Sequence, residues 1–142
     1  MLRQFLMGGG VAVINIAIHA MIMSVVIAVA QAGASTKVPH PSLFLAAVMI
    51  PTVSVLMATH ALEVIVWALA YSIVGAAPPG TDLVYFAFVN YATLGYGDVV
   101  PVPQWRLLGP MASMNGALMF GWSTAVIFEV MRKAIERRSL PR

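Results

Sequence analysis

Residues 93–98, with the sequence TLGYGD, lie between two long apolar segments and contain two glycines, one aromatic residue and one acid. Their side chains offer no evident catalytic chemistry. Their main chain offers more, because glycine enters the left-handed backbone region without a side-chain clash. Gly95 and Gly97, spaced two residues apart, therefore allow backbone conformations that other residues rarely adopt.

A second group of residues that could do chemistry lies inside the apolar segments. His60 and Glu63 are spaced i, i+3 and Asn15 and His19 are spaced i, i+4, so each pair shares one face of a helix. An ionisable group within a membrane is costly and is by default a candidate functional site. Two interpretations stay open: a pH sensor that biases gating, and a polar clasp that fixes helix packing. The His–Glu spacing also weakly resembles half of a metal site.

The composition indicates that a bilayer surrounds these residues. Of the 142 residues, 61% are hydrophobic and only 9% are charged, whereas a soluble domain carries about 25% charged residues. The absence of cysteine excludes disulfides and thiolate metal sites. Five of the eight basic residues lie at the C-terminal end and indicate a cytoplasmic anchor rather than a nucleic-acid site: Arg132, Lys133, Arg137, Arg138 and Arg142.

Three apolar segments, residues 5–32, 41–74 and 105–131, each exceed the roughly 20 residues that cross a bilayer as a helix. Pro51 is expected to kink the second segment, unless its first turns lie along the interface. The sequence AVAQAGAS resembles a signal-peptide cleavage site. The apolar run before it exceeds the usual core of roughly 7–15 residues, which favours a retained helix.

Between the second and third segments, residues 82–92 predict a helix of about 16 Å, or half the hydrocarbon thickness. Pro78, Pro79 and Gly80 end the preceding helix, and Thr81 or Asp82 can cap the new one. A half-length helix followed by a glycine loop is typical of a re-entrant segment. Such backbone is tolerated at membrane depth only when it is buried in protein or lines a water-filled path.

Residues 93–98 resemble the selectivity filter of potassium channels, usually written T-V-G-Y-G-D or T-I-G-Y-G-D. The order of membrane helix, short helix, filter and membrane helix is also similar to that family, over roughly residues 50–133. The resemblance implies an all-α membrane protein with three transmembrane helices, a re-entrant pore helix and a filter loop, assembled as a homotetramer. It implies an extra helix and cytoplasmic loop in residues 1–40 and a pore module in residues 41–142. The expected pore elements are an outer helix at 41–75, a pore helix at 82–92, a filter at 93–98 and an inner helix at 105–138.

The function that this resemblance implies is passive, potassium-selective conduction through backbone carbonyls from four chains. It implies K⁺ as the bound and transported ion, membrane lipids as surroundings, and no organic cofactor, enzymatic activity or nucleic-acid partner. The implied ion sites are the carbonyls of Thr93, Leu94, Gly95 and Tyr96 and the Thr93 hydroxyl, with Gly97 completing the filter. The Tyr96 side chain is expected to point away from the ion and brace the filter against the pore helix. Two alternatives remain: a weakly selective cation channel of the same fold, and a non-conducting membrane subunit.

The residues around the filter depart from the common pattern of the family. Leu94 replaces a β-branched residue, and Val89 stands where some relatives carry a buried glutamate. Tyr85 stands where relatives often have a tryptophan that bonds the filter aspartate, so Tyr85 is expected to bond Asp98, unless Asp98 simply faces the outer water. Asn90 is expected to satisfy local hydrogen bonds.

The third segment carries candidate hinge and cavity residues. By resemblance, Gly116 and Gly121 are candidates for a gating hinge, with close helix packing as the alternative. Ser123 and Thr124 are predicted to face an inner cavity or to bond a carbonyl one turn back.

Orientation follows from the family and from charge. In the potassium channel family the filter opens outward. The resemblance therefore predicts a multi-pass protein of the plasma or inner membrane with its N-terminus outside and its C-terminus in the cytoplasm. Arg3 and Arg106 then lie outside, whereas the loop containing Lys37 joins the basic tail inside.

Overall fold

A computed structural model of the chain describes residues 1–35 and 38–139. Four α-helices follow one another: α1 (Leu2–Ala34), α2 (Pro41–Val74), α3 (Leu83–Tyr91) and α4 (Leu108–Ser139), with a 3₁₀ turn at Pro103–Trp105. No strand occurs within these described ranges. The predicted all-helical fold with three helices able to span a membrane is confirmed. Lys37 and Arg142, which enter the charge argument above, lie outside the described residues.

The helix boundaries follow local stop and start signals. Pro41 occupies the first turn of α2, where a missing N–H costs nothing. Gly75 ends that helix in the left-handed conformation, with φ +61°. Asp82 caps α3, accepting hydrogen bonds from the N–H groups of Val84 and Tyr85 at 3.0 and 3.1 Å. The helix α2 continues through Pro51.

The first helix packs along its own chain, in contact with both α2 and α4. Near its start, a Cβ at Gly8 would lie 2.6 Å from the sulfur of Met111. Near its end, a Cβ at Gly33 would lie 2.8 Å from the Ala47 carbonyl oxygen. These close approaches place α1 antiparallel to α2 and put the N-terminus at the same end of the molecule as the start of α4.

The short helix α3 lies between α2 and α4 and contributes Phe86 and Tyr91 to the main apolar core. Trp67 and Tyr71 of α2 and Leu108 of α4 are fully buried beside it. Nine residues at 1.5 Å each give α3 a length of about 14 Å. A helix of this length is too short to cross a hydrocarbon layer of about 30 Å.

The two candidate hinge glycines of α4 lie in different surroundings. A Cβ at Gly116 would lie 2.0 Å from the carbonyl oxygen of Tyr91, whereas a Cβ at Gly121 meets nothing within 4 Å. Gly116 thus permits the last turn of α3 to touch the backbone of α4, as the packing interpretation requires. Gly121 remains the candidate hinge.

Replacing Gly116 with alanine is expected to destabilise the protein, because the new methyl group meets backbone rather than a flexible side chain. Overpacking typically costs about 1–3 kcal/mol, and we expect the upper end of that range. The melting temperature of the purified protein in detergent, followed by tryptophan fluorescence, measures the effect.

Gly121→Ala is the matched control, since it makes the same change on the same helix in open space. It is expected to leave the melting temperature unchanged or to raise it, as alanine favours helix over glycine by about 1 kcal/mol. Equal melting temperatures for the two variants would contradict a packing role for Gly116.

Candidate functional site

The loop after α3 has an alternating backbone. Thr93, Gly95 and Gly97 all have positive φ, at +60°, +60° and +77°, while Leu94 and Tyr96 between them do not. Alternation between right- and left-handed conformations turns successive carbonyl groups toward the same side of the chain. The loop therefore has the backbone alternation that a row of main-chain oxygens would require, as Gly95 and Gly97 indicate.

Thr93 was not predicted to share this conformation. It is the one non-glycine residue with positive φ in the described ranges, and such a conformation is an outlier for a β-branched residue. The residue type did not predict this conformation, because glycine is the residue from which a left-handed backbone is usually predicted. The spacing did contain a signal, since Thr93 lies two residues before Gly95, as Gly95 lies before Gly97.

The start of the loop is tied to the last turn of α3. The Thr93 N–H donates to the Asn90 carbonyl and the Leu94 N–H donates to the Val89 carbonyl, both at 3.0 Å. The Asn90 side chain donates to the Phe86 carbonyl at 2.9 Å, a local bond of the expected kind. Val89 is buried. The orientation of the loop is thus set by the orientation of α3.

The side chains of the loop find little cover within one chain. Leu94 is 51% exposed and Tyr96 is 66% exposed, and residues 93–98 are all exposed. Large apolar groups that lie together on a surface usually mark an interaction site. Within the single chain, therefore, Tyr96 does not brace the loop by burial against its own pore helix.

Asp98, at the far end of the loop, is bonded to the first turn of α3. The Tyr85 hydroxyl donates to Asp98 Oδ2 at 2.7 Å, the contact anticipated in place of the usual tryptophan. This hydrogen bond lowers the pKa of Asp98 below its ordinary value, because it favours the charged form. Both ends of the loop are therefore bonded to α3: Asp98 at one end and Thr93 and Leu94 at the other.

Behind the loop, Glu63 is the centre of a buried polar cluster. Its carboxylate contacts Nδ1 of His19 at 2.9 Å and Nδ1 of His60 at 3.0 Å, and it accepts a short hydrogen bond from the Tyr91 hydroxyl. Nε2 of His60 lies 2.9 Å from the Ser123 hydroxyl. Through these contacts one carboxylate connects α1, α2, α3 and, by way of His60, α4.

Asn15 joins a neighbouring set of polar groups. Its side-chain amide donates to Asn115 Oδ1 at 3.0 Å and to the Glu63 carbonyl at 3.3 Å. The indole N–H of Trp67 also donates to Asn115 Oδ1, at 3.0 Å. The structure thus brings the two pairs, Asn15 with His19 and His60 with Glu63, together, although Asn15 contacts the Glu63 backbone rather than its carboxylate.

Ser123, expected to face an inner cavity or to bond a carbonyl one turn back, contacts His60 instead. Sequence reasoning also missed two aromatic members of these polar sets, Tyr91 and Trp67. Both lie in apolar runs where an aromatic residue predicts only packing. A usable signal existed for Tyr91, because a carboxylate within a membrane must find donors. Thr124, by contrast, bonds the Phe120 carbonyl one turn back, at 2.8 Å, which is one of the two expected arrangements.

Replacing Tyr85 with phenylalanine is expected to raise the pKa of Asp98 toward its ordinary value, since the hydroxyl that favours the charged form is gone. Because the folded pKa is the lower one, this bond stabilises the fold above the ordinary pKa. That stabilisation is lost as the pH falls through the folded value.

A carboxyl ¹³C NMR titration of aspartate-labelled protein measures the shift. The chain holds only two aspartates. Asp82 accepts from backbone N–H groups that the substitution leaves in place, so its resonance is an internal reference. An Asp98 titration curve that is the same in both proteins would rule out the proposed cause.

Neither the curated proteins nor the solved structures include a significant match to the chain. A protein family described as "Ion channel" matches residues 59–133, which is just over half of the chain. The matched segment includes His60 and Glu63, all of α3, the glycine loop and most of α4. The chain therefore belongs to the ion channel family.

Proposed function

We propose that the chain is the subunit of a potassium-selective channel that conducts passively through a filter of main-chain carbonyls. The observation that carries this proposal is the alternating backbone at Thr93, Gly95 and Gly97, at the end of a half-length helix. A dehydrated cation needs oxygens in place of its water shell, and backbone carbonyls can provide them. K⁺ is bound by the carbonyls of Thr93, Leu94, Gly95 and Tyr96 and by the Thr93 hydroxyl in this proposal.

The position of α3 supports the binding of a cation. Its last residue, Tyr91, lies two positions before Thr93, so the carbonyl end of the helix adjoins the inner end of the loop. That end carries the negative pole of the helix dipole, which stabilises a positive charge close to it.

A homotetramer supplies the rest of the filter. One loop can form only one wall of an ion pathway, and each chain has one such loop. The exposed Leu94 and Tyr96 side chains are the apolar surface that neighbouring chains would cover. In the assembly, Tyr96 braces the filter against the helices of the next chain rather than its own.

Membrane orientation completes the proposal: the N-terminus lies outside and the C-terminus lies in the cytoplasm. Gln4 accepts a hydrogen bond from the Leu107 N–H at 2.8 Å, which supports an N-terminus on the side of the outer loop. Arg138 donates to the carbonyls of Val38 and Pro39, so the basic end of α4 shares the other side with the α1–α2 loop. We propose the plasma or inner membrane as the location.

A liposome flux assay tests conduction and selectivity together. The purified protein is expected to pass K⁺ far faster than Na⁺, and Gly95→Ala is expected to reduce K⁺ flux at least tenfold. The alanine side chain is strained at φ +60°, at a cost of about 1–2 kcal/mol, and the carbonyl of that residue turns from the pathway to relieve the strain.

Gly80→Ala is the matched control, because Gly80 has φ +81° and open space around it but lies outside the loop. Its flux should match that of the unmodified protein. Equal K⁺ and Na⁺ flux would instead establish a weakly selective cation channel, and no flux of either ion would establish a non-conducting subunit.

Cysteine labelling tests the orientation, since the chain has no cysteine of its own. Pro79 and His40 are both exposed loop residues, on opposite sides of the three long helices. A membrane-impermeant thiol reagent on intact cells should label Pro79→Cys, and should label His40→Cys only after permeabilisation. The reverse pattern would overturn the proposed orientation.

A further inference from the structure

The buried cluster around Glu63 has the composition of a metal site. One ring nitrogen of His19, one ring nitrogen of His60 and a carboxylate oxygen of Glu63 lie within 4.8 Å of one another. His19 and Glu63 are fully buried. Two imidazole nitrogens with one carboxylate form a donor set that suits divalent transition metals such as Zn²⁺.

The distances between the donor atoms suit a small coordination sphere. The two nitrogen–oxygen separations are 2.9 and 3.0 Å. Bonds of about 2.0–2.1 Å to a tetrahedral Zn²⁺ place neighbouring ligand atoms about 3.3 Å apart. The two contacts reach different oxygens of the Glu63 carboxylate. An ion in place of the protons now shared with the histidines would lengthen each of these two separations by a few tenths of an ångström.

The arrangement around His60 is the one that a metal-binding histidine needs. Its Nδ1 faces Glu63, and its Nε2 lies 2.9 Å from the Ser123 hydroxyl. A ligating histidine is commonly oriented by a hydrogen bond from its second nitrogen. The Tyr91 hydroxyl, 3.2 Å from His60 Nδ1, is available as a fourth oxygen donor.

The cluster also lacks a permanent positive charge. The groups that contact the Glu63 carboxylate are two imidazoles and a phenol, and the ion pairs of the described residues give it no lysine or arginine partner. Removing an isolated carboxylate from water is costly unless a charge compensates it. Nε2 of His19 is buried and has no hydrogen-bond partner among the described residues.

We propose that His19, His60 and Glu63 bind one divalent transition-metal ion per chain. The ion joins α1 to α2 beside Tyr91, two residues before the loop that carries the main-chain oxygens. The first helix is thereby fastened to the channel module by a coordinate bond as well as by packing. This site is separate from the proposed potassium pathway and does not depend on potassium selectivity.

Metal binding by the full chain in detergent tests the proposal. After treatment with a chelator, the protein is dialysed against Zn²⁺ and its metal content is measured by mass spectrometry. One Zn²⁺ per chain is expected, with a rise in melting temperature. In a parallel sample, Co²⁺ is expected to produce the visible absorption bands of a tetrahedral site with nitrogen and oxygen ligands.

Variants of each ligand locate the site. His60→Gln and Glu63→Gln are each expected to weaken Zn²⁺ binding at least tenfold and to abolish the Co²⁺ bands. His40→Gln is the matched control, because it makes the same change in the third histidine of the chain, which is exposed and contacts Ser42. It should retain one Zn²⁺ per chain.

Two results would overturn the proposal. One is the absence of stoichiometric Zn²⁺ binding by the unmodified protein, which would make the cluster a set of hydrogen bonds and nothing more. The other is Zn²⁺ retained by His60→Gln and lost from His40→Gln, which would place the metal on the surface. If His60→Gln fails to fold, His19→Gln provides the same comparison. The liposome flux of K⁺ is measured separately. Failure of the metal-site proposal can therefore be distinguished from failure of the proposed channel function.

Discussion

Glu63 is a carboxylate buried in an apolar helix, and the arrangement of the other helices satisfies it. His19 reaches it from α1, His60 from its own helix and Tyr91 from α3. Leaving such a group without its partners costs roughly 3–5 kcal/mol. This penalty disfavours other ways of packing the apolar helices against one another. Those alternatives would otherwise have nearly equal free energies, because an apolar side chain gains little by leaving lipid for another helix. One acid therefore specifies which faces of α1, α2 and α3 meet.

A steric constraint acts at the same place. The Tyr91 hydroxyl donates a hydrogen bond to Glu63, and the Tyr91 carbonyl packs closely against Gly116 of α4. The last turn of α3 is thus held from both sides, by a hydrogen bond toward α2 and by backbone contact with α4. Because the loop is bonded to that turn through Thr93 and Leu94, the position of the loop follows from these two contacts.

The loop itself is strained where it begins. Thr93 adopts the left-handed conformation, which costs a non-glycine residue about 1–3 kcal/mol and persists only where the surroundings enforce it. The enforcement comes from the hydrogen bonds to Asn90 and Val89 at one end and from the Tyr85–Asp98 bond at the other. The contacts at the two ends of the loop thus hold the backbone in the alternating conformation on which the proposed cation binding depends.

The sequence by itself determined the membrane spans, the half-length helix and the left-handed glycines, because each depends on local composition: apolar length, proline and glycine breaks, and a missing Cβ. It also indicated that Tyr85 and Asp98 would meet, through resemblance to a known family. Only the tertiary structure decided that Thr93 joins the alternation, that Gly116 serves packing and that Tyr91 completes the Glu63 cluster. These are contacts between distant segments, and an aromatic, a glycine or a threonine looks the same in sequence whether or not another helix lies against it.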